Sequence, residues 1–74
     1  MKLALSMNIV GTNATSIRAA LKDILEDMNN YKDTNCSGNI HNPEIQYDWY
    51  FALVDDNHTP FKPIPANAKA PDVL

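Results

Sequence analysis

Apolar and small or polar side chains alternate along residues 2–10. The large apolar residues Leu3, Leu5, Met7 and Ile9 take the odd positions. Because successive side chains of a strand point to opposite faces, this period of two predicts a β-strand with one buried face. Gly11 is predicted to end the strand.

From residue 14 onward, apolar residues recur every three or four positions instead of every two. Over residues 14–29 this spacing predicts an amphipathic helix about four turns long with one apolar stripe. Thr12 and Asn13 are predicted to form the turn and the N-cap, and Asn29 and Asn30 to end the helix. The stripe consists of Ile17, Ala20, Leu21, Ile24, Leu25 and Met28.

Residues 45–54 alternate again and predict a second, aromatic-rich strand. One of its faces carries Tyr47, Trp49, Phe51 and Leu53, and the other carries Gln46, Asp48, Tyr50, Ala52 and Val54. Residues 30–44, between the helix and this strand, are predicted to form a long polar loop. Gly38 is expected to be its tight-turn position, with a positive φ angle.

Four of the five prolines lie in the last part of the chain. Their density predicts one small domain over residues 1–58, followed by a Pro-rich extended tail over residues 59–74. Phe61 and Ile64 are the tail residues that could dock on the domain.

These elements predict an α+β fold, strand–helix–strand, with one amphipathic helix packed on a small sheet. The apolar stripe of the helix is predicted to cover one shared face of the two strands, made by Leu3, Leu5, Met7, Ile9, Tyr47, Trp49, Phe51 and Leu53. The second face of the sheet carries small apolar residues and is less polar than a solvated face. Two arrangements would cover it. The chain could associate as a homodimer, by strand addition or by packing of sheet faces, or residues 59–64 could fold back over that face or form a third strand.

Charge and composition narrow the classes of function. Six basic and nine acidic residues give a net charge of −3, and the basic residues are scattered, which argues against nucleic-acid binding. No apolar run is long enough to predict a membrane span. A single cysteine forms no internal disulfide and suggests a reducing, cytoplasmic location.

No group of residues has a pattern typical of catalysis or metal binding. His41, Glu44 and Asp48 lie close in sequence, as do the acidic residues and the histidine of residues 55–58, but neither group matches a known ligand spacing. Cys36 lies in the predicted loop, which would hold a nucleophile and a base poorly. We therefore predict no catalytic residue, no bound metal, no cofactor and no enzymatic activity.

Tyr50 is the aromatic residue that alternation assigns to the outward face of the second strand. An outward tyrosine beside small apolar residues is a candidate contact for another protein. The predicted partner-binding residues are Asp48, Tyr50, Ala52 and Val54, together with the loop 30–44.

The layout of residues 3–9, 17–28, 37–38 and 47–53 resembles that of small proteins of phage and prophage genomes, most of them without assigned function. This resemblance implies an accessory or inhibitor protein that acts by binding a host or defence protein. The alternative is an oligomer that sequesters a small molecule such as a nucleotide, in pockets at its subunit interfaces.

Overall fold

The fold is known from a computed structural model that describes residues 1–31 and 33–73. The elements follow in the order β1 (Lys2–Gly11), α1 (Ala14–Asn30), β2 (Ser37–His41) and β3 (Ile45–Val54). The strands form one antiparallel sheet in the order β1-β3-β2. The α+β prediction is confirmed, with a third strand in addition.

β1 and β3 pair without interruption, from Lys2 opposite Val54 to Gly11 opposite Ile45. Met7 therefore lies opposite Trp49, and the large apolar residues of both strands share one face. We call this the helix face and the opposite one the outer face. The alternation in both strands predicted that their large apolar residues share one face, and this prediction is confirmed.

α1 begins and ends as predicted. The side-chain oxygen of Asn13 accepts a hydrogen bond from the Ser16 amide at 2.9 Å, which caps the helix at its N-terminus. At the other end the Tyr31 amide donates to the carbonyl of Asp27 at 3.1 Å. Ala20 and Ile24 are the buried residues of α1, and Trp49 is buried with them in the core.

The prediction of one continuous loop over residues 30–44 is wrong, because Ser37–His41 pairs with β3 as β2. The predicted positive φ at Gly38 is also wrong. Gly38 lies within β2, opposite Trp49, and a Cβ atom there would be 2.6 Å from the indole Nε1. The glycine is needed for this close approach and not for a turn.

A tight turn joins β2 to β3. The side-chain oxygen of Asn42 accepts hydrogen bonds from the amides of Glu44 (3.0 Å) and Ile45 (2.9 Å). The Asn42 amide also donates to the Ile45 carbonyl at 3.0 Å. A side chain that satisfies backbone donors two and three residues ahead is typical of a turn that starts at asparagine.

The Pro-rich tail packs against the sheet without forming a helix or strand over the described residues 59–73. Residues 58–64 and the Lys2–Leu5 part of β1 line a shared cleft of about 260 Å³. Farther along, the Lys69 carbonyl accepts a hydrogen bond from the Leu53 amide at 2.8 Å. The tail thus follows one of the two predicted alternatives and covers part of the outer face.

Candidate functional site

The four predicted contact residues all lie on the outer face, but the tail divides them. Ala52 and Val54 are only 2% and 4% exposed, so the prediction that they belong to an accessible surface is wrong. Their small apolar side chains are covered because the tail folds back over this end of the sheet. Asp48 and Tyr50 lie beyond the tail and are exposed.

The open half of the outer face carries hydrogen-bonding side chains from all three strands. Tyr50 lies between Ser6 and Ser37, and in the next row Asp48 lies between Asn8 and Asn39. We call the open set the polar platform; it consists of Ser6, Asn8, Ser37, Asn39, His41, Gln46, Asp48 and Tyr50.

Asp48 is held in place within the polar platform. Its carboxylate accepts a hydrogen bond from the side-chain amide of Asn8 at 2.9 Å, across the β1–β3 pair. The remaining lone pairs of the carboxylate face solvent, since the side chain is exposed. The platform therefore presents one oriented negative charge next to the phenol of Tyr50.

Three residues of the polar platform come from β2, in the segment predicted to be a loop. Ser37, Asn39 and His41 take alternate positions, and Gly38 and Ile40 lie between them on the helix face. This period of two was the available signal. It was hidden because one of the two inward positions is a glycine, which contributes no apolar side chain.

The helix face contains a buried donor and a tyrosine with a perturbed pKa. The indole N–H of Trp49 is buried beneath Gly38 and has no hydrogen-bond partner among the described residues. Burial raises the pKa of the Tyr47 phenol, and the carboxylates of Asp23 and Asp27 raise it further. These two aspartates therefore lie on the side of α1 that is turned toward β2 and β3.

A second exposed surface lies on the other side of α1. Leu25 is 59% exposed, and Leu3 and Leu5 of β1 are 48% and 45% exposed, so the prediction that α1 and the helix face cover each other fully is wrong here. At about 1.5 Å per residue, α1 is shorter than strands of ten residues that rise about 3.3 Å each. We call Leu3, Leu5, Ile17, Leu21 and Leu25 the apolar flank.

The remaining candidates for chemistry among the described residues are groups of metal-ligating side chains and the thiol of Cys36. Within residues 1–31 and 33–73, no three His, Cys, Asp or Glu side chains lie close enough together to hold a metal ion. The free thiol of Cys36 donates to the carbonyl of Pro71 at 3.2 Å. No helix in this part of the chain has the length and apolar character needed to cross a membrane.

Comparison of the chain with protein families, with curated proteins and with solved structures finds no match in any of the three. The residues of the two exposed surfaces are therefore interpreted from their own chemistry.

Proposed function

We propose that this chain is a non-catalytic protein that acts by binding another protein through the polar platform. The observation that supports this proposal is the division of the outer face. Small apolar side chains lie where the tail covers the sheet, and an exposed tyrosine surrounded by polar groups lies where the tail leaves it open.

Tyr50 and Asp48 would make the central contacts. Tyrosine combines a large apolar ring with a hydroxyl group and is enriched among the residues that dominate protein interfaces. Asp48 adds an oriented carboxylate, and the whole chain has a net charge of −3. A partner with arginine or lysine in its contact surface fits this chemistry, because opposite charges favour encounter and orientation.

The resemblance of the element layout to small phage proteins extends this proposal to the kind of partner. We propose a host or defence protein that is inhibited when the chain covers its functional surface. A reducing cytoplasm suits this role, since Cys36 is a free thiol.

The test compares Tyr50→Arg with Tyr31→Arg, because Tyr31 is also exposed but lies at the end of α1, away from the platform. Each protein is immobilised, and the proteins it retains from a bacterial lysate are quantified by mass spectrometry. We expect Tyr50→Arg to retain at least about tenfold less of a partner protein than the natural chain does. Tyr31→Arg is expected to retain as much of it as the natural chain. Equal retention by both variants, with circular dichroism showing both to be folded, would contradict the proposal.

A further inference from the structure

The outer edge of β1 is long and is not paired with any described strand. All ten residues of β1 pair with β3 on one side, without a bulge. Over the described residues, no backbone hydrogen bond reaches the other side of β1. The strand contains no proline, and its one charged residue is Lys2, at its end. A bulge, a proline and an internal charge, three of the features that prevent an edge strand from pairing with another chain, are therefore missing.

The opposite edge of the sheet is arranged differently. β2 has only five residues, and β3 extends beyond it. There the amides of Phe51 and Leu53 donate to the carbonyls of Cys36 and Lys69 at 2.9 and 2.8 Å. Loop and tail thus pair with β3 where β2 ends. The unpaired edge on this side is therefore the five residues of β2, and β1 offers the longer one.

The apolar flank lies beside the open edge. At about 100° per residue along a helix, Leu21 and Leu25 lie on the opposite side of Ile24 from Asp23 and Asp27. The aspartates are turned toward β2 and β3, because a Cβ atom at Gly38 would be 3.0 Å from Asp27 Oδ2 and both carboxylates act on Tyr47. The two leucines are therefore turned toward β1.

We propose that two copies of this chain pair through their β1 edges, antiparallel and across a two-fold axis perpendicular to the sheet. Antiparallel pairing of a strand with its own copy is self-complementary, so both copies use the same residues. The product is one six-stranded sheet with both helices on the same face. It leaves the polar platforms of both copies open on the other face, so the proposal does not rest on the proposed function.

On the helix face, antiparallel pairing corrects the incomplete coverage by α1. The helix covers the Gly11 end of β1, where the nearest side-chain atom to a Cβ at Gly11 belongs to Ile17 at 3.1 Å. It leaves Leu3 and Leu5 exposed at the other end. Because the Gly11 end of one strand lies beside the Lys2 end of its mate, Leu21 and Leu25 of each copy approach the uncovered leucines of the other.

On the outer face, the same pairing brings an exposed valine to the cleft beside the tail. Val10 lies at the Gly11 end of β1, on the outer face, and is exposed. The cleft is at the Lys2 end and is lined by Ala4, Val54 and Ile64 among others. Lys2, His58 and Lys62 line the cleft as well. Each copy therefore presents an apolar side chain next to the apolar part of its mate's cleft.

A stable dimer requires an interface of standard size. Such an interface buries about 800 Å² on each partner, which is about a seventh of the 5585 Å² that one copy exposes. The unpaired edge of the ten residues of β1 and the exposed residues of the apolar flank are the surface that each copy offers for it.

The test is sedimentation equilibrium of the natural chain, of Leu25→Lys, of Leu5→Lys and of Ala19→Lys. Ala19 is exposed on the same helix outside the apolar flank, so its substitution adds the same charge as a matched control. We expect the natural chain to be a dimer, both leucine variants to raise its dissociation constant at least about tenfold, and Ala19→Lys to stay within about twofold.

Hydrogen exchange locates the interface independently of any substitution. We expect β1 amides to exchange at least about tenfold more slowly in the dimer than after dilution to monomer, because pairing buries those that point outward. A natural chain that remains monomeric, a dimer unaffected by Leu25→Lys, or unchanged exchange in β1 would each overturn the proposal. The two proposals fail separately. If Tyr50→Arg no longer captures a partner but still sediments as a dimer, the polar platform serves partner binding and the β1 edge serves the dimer.

Discussion

At the residue scale, the absence of a side chain at Gly38 makes room for the buried indole of Trp49. The indole of Trp49 is buried directly beneath it, with Asp27 Oδ2 also close. Trp49 is further held by Phe51, whose ring lies edge-on at a centroid distance of 5.7 Å. The indole therefore has little room to move away from a new Cβ atom.

We expect Gly38→Ala to lower the free energy of unfolding by about 1–3 kcal/mol, the usual cost of overpacking a core. Urea unfolding followed by tryptophan fluorescence measures it. Gly11→Ala is the control, because its Cβ would meet side-chain atoms at 3.1 and 3.2 Å, which need to shift only slightly. A Gly38→Ala chain as stable as the natural one would show that the indole packs more loosely than described.

The raised pKa of Tyr47 predicts a pH dependence of stability. Its phenol keeps its proton in the folded state at pH values where the unfolded chain, with a pKa near 10, has lost it. The contribution is thus fully present below about pH 10 and is lost as the pH rises through the pKa of the folded state.

We expect the stability of the natural chain to fall more steeply between about pH 9 and pH 11 than that of Tyr47→Phe. Urea unfolding at a series of pH values measures both slopes. Asp27→Asn gives an intermediate slope, because it removes the smaller of the two named carboxylate contributions and leaves burial in place. Identical slopes for the natural chain and Tyr47→Phe would rule out this cause.

At the scale of elements, the tail substitutes for structure that the sheet lacks. It shields Ala52 and Val54 and supplies the carbonyl that accepts from the Leu53 amide. Its two turns are closed by backbone bonds from Lys62 to Thr59 and from Ala68 to Pro65, at 3.1 and 3.0 Å. The tail is thus a packed part of the fold although it contains no helix or strand.

Deletion of residues 59–74 is expected to reduce the free energy of unfolding by about 2–4 kcal/mol, because it exposes two apolar side chains and leaves a backbone donor unpaired. Thermal unfolding followed by circular dichroism measures the loss. Deletion of residues 72–74 is the control, since it keeps both the Lys69 carbonyl and Pro71. If the chain without residues 59–74 had the same melting temperature as the full-length chain, the stabilising role of the tail would be contradicted.

At the scale of the whole molecule, the chain is thin and its core is small. Its dimensions are 36 × 27 × 17 Å. The shortest of these corresponds to the thickness of one helix packed on one sheet. The buried apolar residues among those described are Ala20, Ile24, Trp49, Ala52 and Val54, together with Pro71 of the tail. A core of this size stabilises a single copy only marginally, and association is one of the ways in which small chains gain stability.

A partner on the polar platform and a second copy at the β1 edge can be bound at the same time. The apolar flank and the β1 edge lie toward the helix face, and the polar platform lies on the outer face. Pairing through β1 would extend the sheet sideways and bring two platforms onto one continuous face. A partner could then contact both copies, which strengthens binding through effective concentration.

Local periodicity by itself determined the two long strands, the helix with its Asn13 cap, and the face on which each large apolar residue lies. These properties depend on neighbours in sequence, so a period of two or of 3.6 is enough to predict them. The third strand was missed because β2 has a glycine at an inward position, and only contact with Trp49 explains that glycine.

Only the tertiary structure decided which parts of these faces remain open. Ala52 and Val54 have the same alternation as Tyr50, yet the tail covers them and not the tyrosine. Leu25 belongs to the same apolar stripe as Ile24, yet it is exposed because it lies about 100° farther around α1, on the side of the unpaired β1 edge. Burial depends on which distant segment packs against a residue, and this information is absent from the period of its own element.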